Sequence, residues 1–99
     1  MSDEYLILHL KYKYWEMIRD GQKTHEYREC KPYWKSRIRN QNKLILVPGY
    51  YNDNSVDIQA DIKSIKKVPY HELPEYVQWE FPDTEYTTFY DIEFEVVYS

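Results

Sequence analysis

In the stretch VDIQADIKSIKKV, residues 56–68, apolar residues alternate at Ile58, Ala60 and Ile62 and then reappear at Ile65, one position out of phase. Period-two alternation marks a strand with one covered face. A one-residue slip within such a run is what a β-bulge leaves in a sequence, and bulges bend strands round small barrels. This stretch therefore predicts a long, bent strand in a curved sheet.

Other strands are written around it. TTFYDIEFEVVY alternates Tyr90, Ile92, Phe94, Val96 and Tyr98 against Asp91, Glu93 and Glu95, the clearest strand pattern in the chain. YLILHL (Tyr5 to Leu10) and KLILVPG are short apolar runs that read as strands buried on both faces, with His9 interrupting the first and Pro48–Gly49 closing the second. Between them, YKYWEMIRDG spaces Tyr14, Trp15, Met17 and Ile18 as a short helical stripe ending at Gly21. LPEYVQW does the same with Leu73, Tyr76 and Val77 after Pro74. KPYWKSRI reads as a turn or a single helical turn opened by Pro32. The expected order is β-α-β-β-β-α-β, an α+β domain built as a small, partly open barrel with two short helices.

Length and composition set limits on that fold. The 99 residues suit one domain, 1–99, with one core, and 42% apolar with 18% aromatic residues indicate a folded globule. Two glycines leave no room for a P-loop or a dinucleotide-binding loop. One cysteine, Cys30, precludes an internal disulfide and fits a reducing compartment. No apolar run approaches bilayer length and MSDEY is not a signal sequence, so a cytoplasmic location is expected. The net charge of -4 hides a segregation. From Lys11 to Lys43, ten Lys or Arg face four acids, a surplus of six positive charges; from Tyr70 onward there are eight acids and no Lys or Arg. Such a dipole either attracts a polyanion to one face or neutralises itself across the fold.

GQKTHEYREC, residues 21–30, is a strand with no apolar face. Periodicity puts Glu26 and Arg28 on one side, roughly 6.5–7 Å apart at Cα, with Lys23 at the preceding turn. Arg28 and Lys23 suit a phosphate or a carbonyl oxygen. Glu26 suits either a base-edge donor or general-base work. The competing reading is an ion pair that protects an edge strand.

The longer stretch LHLKYKYWEMIRDGQKTHEYRE resembles the opening signature of the ASCH domain family in the PUA-like superfamily: a hydrophobic strand, a short helix, then G-x-K-x-x-E-x-R on Gly21, Lys23, Glu26 and Arg28. TTFYDIEFEVV resembles the last strand of small members. The resemblance implies a barrel-like fold with a cleft lined by the motif, and binding of RNA or a modified nucleoside. One branch hydrolyses the amide of N4-acetylcytidine with a lysine, a threonine and a glutamate. The lysine falls on Lys23, the threonine position holds Glu26, and the glutamate is Glu72, Glu75 or Glu80.

The expected site therefore has Lys23 and Glu26 as candidate catalytic groups, with Lys23 stabilising an oxyanion and Glu26 acting as base in a hydrolase. Arg28, Lys11, Trp34, Lys35 and Tyr50 are the candidate RNA- or nucleoside-binding groups, aromatics for stacking and cations for phosphate. Trp34 also suits a barrel plug, and Lys35, Arg37 and Arg39 suit a solvated turn. His9, His25, His71 and Cys30 lack a zinc-like spacing, so neither a metal nor another cofactor is expected. A tyrosine-rich surface for a protein partner is a third reading.

Overall fold

The computed structural model describes residues 5–38, 41–49 and 57–97. Five strands run in the spatial order β1-β3-β4-β5-β2, where β1 is Tyr5–Leu10, β2 His25–Glu29, β3 Lys43–Pro48, β4 Ile58–Pro69 and β5 Thr88–Val96. β1 lies parallel to β3, and every other pairing is antiparallel. The sheet is open, with β1 and β2 at its two ends. The phase slip appears as a register shift in the β4–β5 ladder: Ile62 pairs with Phe94 and Ser64 with Glu93, leaving Lys63 as the extra residue.

Among the described residues, three α-helices accompany the sheet: α1 (Tyr12–Arg19), α2 (Pro32–Arg37) and α3 (Glu75–Glu80). α2 adds a helix to the two expected. Its six residues are too few to show a helical period, but Pro32 occupies the first turn, where no N–H is needed. α1 ends as its sequence requires. Gly21 takes φ +79°, its N–H bonds Ile18 C=O and Gln22 N–H bonds Met17 C=O, the paired closure that a left-handed residue permits.

The main core joins Leu6, Leu8 and Leu10 of β1 to Leu44 and Leu46 of β3, Ile92 and Phe94 of β5, and Trp15 and Ile18 of α1. A smaller cluster, Leu73, Val77 and Phe89, fastens α3 to β5. The expectation that β1 is buried on both faces does not hold. Its burial alternates, and Ile7 is 52% exposed, because an end strand covered by α1 on one side leaves the other side open. None of the described helices is long and apolar enough to cross a membrane.

Candidate functional site

The ends of the open sheet approach each other, and the gap between β1 and β2 forms the floor of a cleft of about 420 Å³, roofed by α1 and α3. The polar strand supplies that floor. Pairing in antiparallel sheets alternates, so residues bonding β5 are the even ones, as Phe94 N–H to Thr24 C=O and Cys30 N–H to Thr88 C=O show. His25, Tyr27 and Glu29 thus turn their backbone groups to the gap.

Lys23, Glu26 and Arg28 form one contiguous cluster. Lys23 and Glu26 are each only 6% exposed, the two buried charged residues among those described. Lys23 Nζ lies 3.2 Å from Glu26 Oε1 and donates to His25 C=O at 2.5 Å and to the Tyr76 hydroxyl at 3.0 Å. Three rings surround the ammonium, with Tyr76, Tyr27 and Tyr14 centroids at 5.3, 5.6 and 5.7 Å. Such a cage offsets part of the lost hydration through the ring quadrupoles. Arg28 Nη1 bonds Glu26 Oε2 and also donates to Tyr27 C=O at 2.9 Å. Its Nη2 crosses the gap to His9 C=O of β1 at 3.1 Å, and its plane lies over Trp34 at 5.3 Å. One guanidinium therefore ties both sheet ends together.

Glu80 stands on the opposite rim. Its carboxylate takes Lys11 at 2.6 Å and accepts from the Tyr14 hydroxyl at 2.8 Å, with Lys13 at 3.8 Å. The bond from Lys11, then that from Tyr14, holds Glu80 below its ordinary pKa. Desolvation, reinforced by Glu80, pushes the Tyr14 phenol up to about 12, and desolvation with the Asp91 charge raises Tyr27 to about 12. Both phenols are donors throughout the physiological range.

The remaining expected residues divide. Lys11 and Trp34 line the cleft with the motif. Lys35 lies apart, on a second depression with Cys30, Lys67 and Thr88. Tyr50 and Arg39 lie outside the described residues. Glu72 and Glu75 are exposed and outside the cleft lining, so of the three carboxylates before the last strand, Glu80 is the one brought to the cleft. His25 bonds Asp91 at 2.7 Å, while Cys30 packs on the core and burial pushes its thiol up. Tyr14 and Tyr76 were missed as site residues. Their available signal was the phenol itself, because a helical stripe that buries a hydroxyl must find it a partner. The charge segregation partly resolves into contacts: Lys11 and Lys13 reach Glu80, and Arg37 rests on the Tyr33 ring at 3.6 Å.

No family model matches the chain, and no curated protein matches it significantly.

Proposed function

We propose that this chain is a small ASCH-like domain of PUA-like, partly open barrel architecture, cytoplasmic, whose cleft binds RNA or a modified nucleoside. The observation that carries this reading is the convergence of Lys23, Glu26 and Arg28 on the cleft floor, beside Trp34, Tyr14, Tyr27 and Tyr76. The volume lies in the range of small-molecule sites, and a floor of fixed cations with aromatic walls suits a flat, carbonyl-bearing ring. Arg28 bridging the sheet ends supports the barrel-like curl. In this role Arg28 holds a ligand oxygen, Lys23 supplies buried positive charge beneath it, Trp34 offers a stacking face and Lys11 meets phosphate at the rim.

The test is titration of the full chain with short single-stranded RNA and with nucleosides, wild type against Lys23→Ala and Arg28→Ala. Loss of a charged hydrogen bond should weaken binding by about tenfold or more. Unchanged affinity in both variants, with both still folded, would exclude the cleft as the site.

Hydrolysis of a modified nucleoside is a second reading, favoured by Glu80. In that scheme Lys23 places positive charge at the developing oxyanion, and Glu80 acts as base through water, since its side chain is 23% exposed against 8% for Glu26. Chromatography of N4-acetylcytidine after incubation decides it: turnover lost in Glu80→Gln with binding intact supports the scheme, and no turnover by wild type removes it.

A further inference from the structure

On the open edge of β2, the backbone acceptors are all taken. His25 C=O accepts from Lys23, Tyr27 C=O from Arg28, and Glu29 C=O from Lys31 N–H at 2.8 Å. Across the gap, His9 C=O of β1 accepts from the same Arg28. Both Glu26 oxygens are occupied by Lys23 and Arg28. The donors are not used up in the same way. No partner for the Tyr27 N–H is found among the described residues. Arg28 uses three of its five N–H groups on Glu26, Tyr27 and His9.

This arrangement excludes one kind of occupant. A peptide strand joining an edge alternates N–H and C=O, and needs acceptors as well as donors from its host. On the β2 edge each acceptor already carries a donor, whereas the Tyr27 N–H and two Arg28 N–H groups carry no acceptor among the described residues. A ring amine directed here would likewise meet N–H groups and leave its own hydrogens unpaired, a cost of the size that lets hydrogen-bonding sites reject close analogues.

We infer that the β2 edge reads the C4 position of a pyrimidine as an acceptor, so that a keto base of the uracil type is bound in preference to an amino base of the cytosine type, which shares only the C2 carbonyl. The inference rests on the nucleoside reading above and names its substrate class. It also changes the role of Glu26: its carboxylate, anchored by Lys23, orders Arg28 as a donor and does not itself read an exocyclic amine.

Uridine and cytidine differ at this position by a carbonyl against an amine, so they are the probes. Each is titrated into the 15N-labelled full chain, following affinity and amide proton shifts. Uridine should bind about tenfold or more tighter than cytidine and move the Tyr27 amide proton downfield. Arg28→Met frees the Tyr27 C=O as an acceptor and should narrow that preference. Should this variant not fold, the wild-type pair still decides. Equal affinities, a cytidine preference, or a Tyr27 amide unmoved at saturating uridine would overturn the inference while leaving nucleoside binding in place. Binding of neither nucleoside, nor of RNA, would remove the functional reading itself.

Discussion

Glu26 sits between two cations with its side chain only 8% exposed, and Lys23 beside it is 4% exposed. Removing the shared anion leaves two like charges in a poorly hydrated site. Glu26→Ala should therefore cost about 3–5 kcal/mol, read as a lowered urea midpoint at unchanged slope; a loss below about 1 kcal/mol, the scale of an exposed pair, would mean that water reaches the cluster. The tyrosines, whose values are raised, contribute stability that is lost at high pH. With Tyr14 and Tyr27 raised from an ordinary value of 10 to about 12, their contribution is intact below pH 10 and is lost as pH rises from 10 toward 12. Absorbance at the tyrosinate band should show a late-ionising group of phenols, Tyr90 among them, and one fewer in Tyr14→Phe. At this scale the motif was legible, because period two alone places Glu26 and Arg28 side by side. The cage was not: Tyr14 and Tyr76 reach Lys23 from elements that no local pattern relates to residues 23–28.

The helix α3 is held from two sides, by Phe89 and Val77 in the small apolar cluster and by Glu80 across the cleft to Lys11 and Tyr14. Because the Glu80 value is lowered, the polar tie stabilises the fold above the ordinary carboxylate range near about 4.3 and disappears as pH falls through the lowered value. Acid titration by NMR should therefore shift the amides of α3 and the start of α1 together, and Glu80→Gln should abolish that coupled transition. The bulge makes a separate prediction. Deleting Lys63 brings Ile65 back into phase with Ile62, straightens β4 and draws the sheet ends apart. Ligand affinity should then fall while circular dichroism retains the strand signal; intact affinity would mean that the curl has another cause. The slip was readable in sequence because β4 and β5 keep strict alternation on either side of it. α2 and the one-sided burial of β1 were not, since six residues carry too little period, and an apolar run does not state whether it will lie at a sheet end.

For the whole molecule, the elements were legible and their arrangement was not. Nothing in YLILHL or KLILVPG specifies that they lie parallel, and nothing in HEYRE specifies that it joins β5 at the far end from β1. These choices follow from which faces must be covered together. Phe89, fully buried, anchors the second cluster, and Phe89→Ala should cost about 3–5 kcal/mol by chemical denaturation, with α3 losing amide protection first. The pairing of β2 has an effect on the order of events. His25 meets Glu93, 68 positions later, so the polar strand gains its sheet partner only after nearly the whole chain is available. Contacts of such long separation form late and slowly. As a chain emerges from the ribosome, the leucine-rich β1 and β3 can pair well before the cleft floor exists. The cleft floor is thus complete only once β5 has paired, and a chain stopped before β5 would carry residues 23–28 without the strand that holds them in place.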